Sequence, residues 1–150
     1  MKNIFDQSVS DKTITRINLL SNGSQPKWGR MTVAQMLAHC SVMFEMIFSD
    51  KHPQPSFLKK IFLKVFVKNI VIGEKPYPKH LATTAQFLIT DSKQFDDEKE
   101  RLIGFIHKTQ KLGGNYFKNK ISLSFGKLSE KEWSNMLYKH LDHHLKQFGV

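Results

Sequence analysis

The segment "SEKEWSNMLYKHLDHHLKQ", residues 129–147, is the most informative about the fold. Ser129 followed by Glu132 is a capping-box pattern, which predicts that a helix begins here and runs to about Gln147. The same pattern, Thr32 followed by Gln35, opens a helix whose apolar positions are Val33, Leu37, Cys40, Phe44 and Ile47. Because apolar residues recur at steps of three and four in both segments, each helix is expected to bury one face.

The helix over 129–147 has two stripes of different character. Steps of four, three, four and three residues form the stripe expected to point inward: Trp133, Leu137, His140, His144 and Gln147. A charged stripe is expected to face water: Glu132, Lys139, His143 and Lys146. The pattern therefore assigns His140 and His144 to the interior and leaves His143 outside.

Three further segments have helical patterns. Helices are predicted over about 10–21, from residue 91 or 92 to Gly113-Gly114, and, after two prolines, over the shorter amphipathic segment 57–70. The stretch "TTAQFLIT" (83–90) is either extended or a loop. Four long helices, with one extra short helix between the second and third, predict an all-α protein. We expect one domain over 1–150, built as a four-helix bundle.

His39 is the third histidine predicted to point inward. It lies mid-helix among Met36, Met43 and other apolar residues, where an imidazole keeps unmet hydrogen bonds unless something binds it. His140 and His144 are four residues apart, so their rings share one helix face and can converge on one cation. Two readings stay open here: a metal site, or histidines that are partly exposed or bonded to water or a backbone carbonyl.

A family resemblance rests on "WGRMTVAQMLAHC" (28–40) and "FGKLSEKEWSNMLYKHLDHHLKQFGV" (125–150). These stretches resemble the two signature motifs, one near each end of the sequence, of a bacterial family of unknown function. That family belongs to the DinB-like superfamily of small helical-bundle metalloproteins. The superfamily pattern, one histidine in the second helix and HxxxHxxQ in the last, is filled here by His39, His140, His144 and Gln147. The resemblance implies an up-down-down-up bundle of the DinB-like type with a three-histidine site for a divalent metal. Some members are transferases or isomerases that use bacillithiol, mycothiol or glutathione.

Such a site would leave a divalent cation open to water or to a thiolate, so that hydrolysis and thiol transfer are both conceivable. Zinc or nickel is the favoured ion, although iron and copper also accept three nitrogens. The substrate is expected to be a small molecule, and a low-molecular-weight thiol is one candidate. Gln147 could orient a ligand or His144 from outside the ligand set, or it could be a polar residue at a frayed helix end. No catalytic residue is assigned.

The net charge of +10 is unevenly distributed, because seven lysines and one acid, Glu74, lie between residues 51 and 80. A non-catalytic alternative is that the basic segment 57–70 binds an anionic membrane or a phosphate backbone. The favoured expectation is that this helix packs Leu58, Phe62 and Val65 on the bundle and leaves its lysines in water. A bundle that metal stabilises without catalysis is a third hypothesis.

Several partners are not expected from the sequence. No nucleic acid is expected, and lysines interrupt the most apolar region, which argues against a membrane span. The single cysteine and an N-terminus without a long apolar run predict a cytoplasmic protein. The sequence does not fix the oligomeric state, and a dimer is one of the states it allows.

The remaining cysteine and histidines are weaker candidates for a site. Cys40 lies on an apolar stripe and is expected to be an inert core thiol. His107 is expected at the boundary of the core, and His52 and His80, which lie in loop sequence, are expected at the surface.

Overall fold

The computed structural model describes residues 1–81 and 83–150. Within them the α-helices are α1 (Gln7–Asn18), α2 (Val33–Phe48), α3 (Phe57–Phe62), α4 (Lys68–Ile72), α5 (Phe95–Lys118) and α6 (Glu130–Gln147). A π-helical turn, Leu63–Val67, joins α3 to α4, and a 3₁₀ turn spans Ala85–Phe87. Two short antiparallel strands, β1 (Ile121–Ser122) and β2 (Gly126–Lys127), precede α6. The chain is mostly helical, which confirms the predicted all-α class.

Both predicted capping boxes are present. The Thr32 hydroxyl accepts a hydrogen bond from the backbone N–H of Gln35 at 3.2 Å, and the Gln35 side chain accepts one from the backbone N–H of Thr32 at 3.0 Å. Ser129 and Glu132 make the same pair of bonds at the start of α6. Because these bonds satisfy N–H groups that a helix start leaves unpaired, they fix where α2 and α6 begin.

The core is formed mainly where α2 and α6 pack against α5, with α1 packed on both α5 and α6. Its largest fully buried side chains include Phe44, Leu37, Phe117, Trp133 and Leu137. Burial of each such side chain contributes roughly 1.5–3 kcal/mol of transfer free energy. This packing brings the middle of α2 against the second half of α6, which is where the candidate ligands lie.

The boundaries of two helices differ from the prediction. Helix α1 spans Gln7–Asn18 rather than 10–21, and α5 begins at Phe95 rather than at residue 91 or 92. Gly113 leaves the helical conformation, with φ +66° and ψ 170°, so the first helical part of α5 ends at the glycine pair, as predicted, and a second short part continues to Lys118. Tertiary packing explains the continuation, because Phe117, beyond the kink, is fully buried.

Lys139 was expected in water and is instead buried, with 2% of its surface exposed. Its ammonium group donates hydrogen bonds to the backbone carbonyls of Ile70, at 2.7 Å, and Gly73, at the end of α4. These carbonyls have no partner within the helix, and a cation there complements the helix dipole. Burial lowers the pKa of Lys139 to about 8. The prediction was wrong because α4 covers this face of α6.

The amphipathic segment 57–70 also departs from its expected packing. Leu58, Phe62 and Val65, the face expected to lie on the bundle, are all exposed. Leu63 is buried and Val67 half-buried, so the segment contacts the protein through a different stripe. In the described residues, no helix has both the length and the apolar character needed to cross a bilayer.

Candidate metal centre

Three histidine side chains from two helices meet in the interior. His39 projects from α2, and His140 and His144 project from α6, one turn apart. Their exposed fractions are only 5%, 8% and 8%, and one ligand atom from each ring lies within 4.8 Å of the other two. The Nε2 atoms of His39 and His140 are 3.0 Å apart. The structure therefore brings together the three residues predicted as ligands, and it could accommodate a metal ion among them.

The tautomer of His39 follows from its backbone partner. Its Nδ1 lies 2.8 Å from the carbonyl oxygen of Phe87, which can only accept a hydrogen bond. Nδ1 must therefore carry the proton, and in the neutral ring Nε2 is left with a lone pair facing the cluster. A metal-binding histidine commonly has its other nitrogen fixed by such a bond.

A relay of two hydrogen bonds fixes His144 in the same way. The side-chain amide of Gln147 donates to the backbone carbonyl of Trp28 at 2.6 Å, which determines which end of that amide is the oxygen. The Gln147 oxygen then faces Nδ1 of His144 at 2.8 Å and must accept from it. Nε2 of His144 is consequently the unprotonated atom. Gln147 is also buried, so it is not a residue at a frayed helix end.

Gly29 makes room for this relay. Its φ of +83° suits glycine, and a Cβ atom there would lie 2.6 Å from the amide nitrogen of Gln147. Any larger residue at position 29 would therefore push against the group that holds His144. The "QPKWGR" loop thus supports the cluster through Gly29 and through the carbonyl of Trp28.

His140 is the least satisfied member of the cluster. Its Nδ1 is buried and has no hydrogen-bond partner in the described part of the chain. Its Nε2 faces Nε2 of His39, which already presents a lone pair. Without a cation, the neutral His140 ring has two tautomers, and neither is satisfied. If Nε2 carries the proton, it donates to Nε2 of His39 and Nδ1 stays unpaired. If Nδ1 carries the proton, the lone pairs of the two Nε2 atoms face each other. Buried polar groups in such a state are uncommon and point to a missing partner.

Burial keeps all three rings neutral at physiological pH. It lowers the pKa of His39, which the Phe87 carbonyl only partly offsets, and it lowers the pKa of His140 further, with the other histidines adding to the effect. It also lowers the pKa of His144 to about 3, assisted by His39. Neutral imidazole is the form that binds metal, so the cluster need not lose protons to accept a cation at pH 7.

In the described part of the chain, two cavities adjoin the cluster, and His140 lines both. One, of about 260 Å³, contains all three histidines and is bordered by Trp28, Arg30 and His80. The other, of about 180 Å³, is lined mainly by apolar side chains, among them Met43, Val67, Phe87, Trp133 and Met136. Tyr77 and His140 border both cavities. A ligand in either space would reach the same histidine.

Tyr77, Phe87 and Trp28 were missed by sequence reasoning. Burial raises the pKa of the Tyr77 hydroxyl, and its ring lies edge-on to His143 with the centroids 5.6 Å apart. Phe87 and Trp28 act through their backbone carbonyls, which bind His39 and Gln147, and a pattern of side chains cannot predict such contacts. Only Tyr77 had a usable signal, as an aromatic residue within a proline-rich loop.

The other histidines and the cysteine lie outside the cluster. His143 is half-buried rather than fully in water, with its ring against those of Trp28 and Tyr77. His52 is half-buried, not at the surface as predicted, because its Nε2 lies 3.0 Å from the carboxylate of Glu45, in the last turn of α2. His80 and His107 are exposed.

Cys40 is a core residue, as predicted. It is buried, and burial raises the pKa of its thiol, which keeps it protonated. Its sulfur lies 3.8 Å from that of Met36, on the apolar side of α2. An inert packing role follows from this environment.

The fold and the cluster define a mostly helical protein with three buried histidines that could hold a metal ion. The chain belongs to a family described as "Protein of unknown function (DUF1569)", which matches residues 5–149. Neither a curated protein nor a solved structure matches it. The family description names no activity, so the function has to be argued from the site.

Replacing Gln147 with leucine is expected to weaken metal binding by roughly 10- to 100-fold, the usual cost of losing a partner that orients a ligand. Leucine has similar bulk but accepts no hydrogen bond from His144. Titration of the metal-free variant with zinc, in competition with a chromophoric chelator, measures the change. Lys146→Leu, on the adjacent exposed position, is the control. An unchanged dissociation constant for Gln147→Leu would show that the relay is not needed.

Proposed function

We propose that the protein is a metal-dependent enzyme in which His39, His140 and His144 hold one divalent ion, with zinc or nickel favoured. The observation that carries the proposal is the convergence of three buried, neutral imidazoles. Nδ1 is hydrogen-bonded in His39 and His144, and Nδ1 of His140 has no partner among the described residues. Donors of this number and type suit a catalytic site, which commonly has three protein ligands and one open position. The proposal includes membership of the DinB-like superfamily, a four-helix-bundle arrangement, a single domain over 1–150 and a cytoplasmic location.

A bound divalent ion would supply Lewis acidity, lowering the pKa of a coordinated water or thiol. The protein's own groups set up that chemistry. The Phe87 carbonyl and the Gln147 amide hold two of the rings in one tautomer, so little reorganisation accompanies binding. The lining of the cavity of about 180 Å³ beside His140 is mainly apolar, which lowers the local polarity on that side. Electrostatic effects on a reacting group are stronger in such surroundings.

The two cavities suggest the kind of substrate. Near the larger cavity, Arg30 lies on its border and the Lys79 ammonium lies 4.7 Å above the Trp28 ring, so an anionic group would be favoured there. The apolar cavity of about 180 Å³ is comparable with engineered cavities of about 150 Å³ that bind benzene. We propose a small-molecule reaction in which an anionic low-molecular-weight thiol occupies the first space and an apolar acceptor the second. Transfer of the thiol is favoured, and hydrolysis is the alternative.

Cobalt substitution tests the metal site and the open position separately. Metal-free protein without a histidine tag is titrated with Co²⁺, and visible absorption is expected to saturate at one ion per chain. Addition of glutathione, as the probe thiol, is expected to produce a new sulfur-to-cobalt charge-transfer band. Failure to bind Co²⁺, Zn²⁺ or Ni²⁺ near stoichiometrically would refute the site, whereas binding without a thiol band would refute only the thiol chemistry.

A non-catalytic role for the metal is the second candidate, and one observation favours it. Among the described residues, the cluster consists of histidines and contains no carboxylate that could act as a general base. In that case metal would raise the melting temperature, because it binds the folded state, but no substrate would turn over. Thermal unfolding with and without zinc, together with a screen of thiol-transfer and hydrolysis substrates, separates the two candidates.

A further inference from the structure

An unpartnered apolar face lies on the outside of the segment 57–70. Seven large apolar side chains are exposed there: Phe57, Leu58, Ile61, Phe62, Val65, Phe66 and Ile70. Phe57 and Leu58 keep 76% and 77% of their surface exposed, which is unusual for neighbouring large apolar residues. The rings of Phe62 and Phe66 contact each other, with centroids 5.1 Å apart. We call these seven side chains the outer apolar face.

The inner stripe of the same segment is already occupied. Leu63, Val67 and Val71 line the apolar cavity beside His140, and the end of α4 is held by Lys139 and Asn135 of α6. The segment is therefore fixed to the protein through one stripe while the opposite one faces outward. Rotating it to bury the outer apolar face would break those hydrogen bonds.

The charge around this face is one-sided. The segment contains four lysines and no acidic residue. Among the described residues, Lys59 and Lys60 hydrogen-bond to glutamine side chains, Gln86 at 3.4 Å and Gln54 at 2.8 Å, and Lys64 is exposed. Of the segment's four lysines, Lys68 is the one that pairs with an acid in the described part of the chain, Glu132 at 3.5 Å. A partner for the face must therefore offer both apolar volume and negative charge.

We propose that segment 57–70 docks on the interface of an anionic membrane, with the outer apolar face among the acyl chains and the lysines at the headgroups. An interfacial helix of this kind combines exposed phenylalanine and leucine with basic flanks. A second copy of this chain fits less well, because a two-fold contact would set lysines against the same lysines with no acid in the segment to pair them. A nucleic acid backbone offers negative charge but no apolar environment in which seven apolar side chains could be buried.

Co-sedimentation with lipid vesicles tests the proposal. Vesicles of phosphatidylcholine alone are compared with vesicles containing a phosphatidylglycerol fraction, at low and moderate salt. Binding is expected only to the anionic vesicles and is expected to weaken with salt. Replacing Phe57, Phe62 and Phe66 together by serine should reduce binding on the order of tenfold or more, since insertion scales with buried apolar area. Lys60→Gln with Lys64→Gln should reduce the preference for anionic lipid, since two of the four lysines are lost.

Two controls keep the test specific. Leu19→Ser removes an equally exposed apolar residue far along the chain and should leave vesicle binding unchanged. His144→Ala should also leave it unchanged, because docking does not depend on the proposed metal site. Circular dichroism checks that each variant is folded.

Three outcomes would overturn the proposal. The first is the absence of binding to anionic vesicles at low salt. The second is a dimer, seen by analytical ultracentrifugation, that the triple serine variant abolishes, which would assign the face to a second copy. The third is binding of duplex DNA at lower protein concentrations than anionic vesicles require.

Discussion

His144→Ala is expected to lose zinc or nickel binding at micromolar metal, whereas His143→Ala is expected to retain it. The two residues are adjacent in sequence, but only the ring of His144 presents a nitrogen to the cluster. His144→Ala leaves two nitrogen donors, and the loss should exceed the roughly 10- to 100-fold cost of removing an outer partner. Isothermal titration of metal-free protein measures both dissociation constants.

The comparison is informative because the two substitutions remove the same group from neighbouring positions. His144 is buried and His143 is half-buried against Trp28 and Tyr77, so both variants lose some packing. Melting curves of the metal-free variants correct for that loss. Equal affinities in the two variants would show that the cluster does not bind the ion as proposed, whatever the stability data show.

Phe117→Ala is expected to lower the free energy of unfolding by about 4 kcal/mol, typical of a large aromatic side chain removed from a core. Phe117 lies beyond the Gly113 kink and is fully buried, with its ring against Phe5 and Trp133 at centroid distances of 5.0 and 5.7 Å. Denaturant unfolding of the metal-free protein measures the effect without a contribution from bound metal.

Lys118→Ala is the matched control, because Lys118 is the next residue of the same helix and is exposed. Its effect should stay within about 0.5 kcal/mol, as for most surface positions. Similar small effects in both variants would mean that the chain after Gly113 contributes little to the core.

The parts of the fold that could be predicted are those that local chemistry controls. Both capping boxes formed because the bonds involved lie within four consecutive residues. The inward stripe of α6 is buried along its whole length, from Trp133 to Gln147. In contrast, Lys139 and the outer apolar face depend on how the segment 57–72 lies on α6, which helical periodicity does not encode.

The candidate site divides in the same way. The spacing of His140 and His144 and the placement of His39 on an apolar helix were visible in the sequence. The groups that orient the rings were not, because the carbonyls of Phe87 and Trp28 belong to the backbone and would be the same for any residue there.

The helical class, the capped starts of α2 and α6, and the inward placement of His39, His140 and His144 could be predicted from the amino-acid sequence, because each depends on spacing or capping within one helix. Four other features became visible only in the three-dimensional structure. The three rings meet, their orientation is fixed, and Gln147 is held by the carbonyl of Trp28. The segment 57–70 also turns an apolar face outward. Those features are contacts between residues far apart in the chain. Their geometry is set by the packing of whole helices, which no local pattern contains.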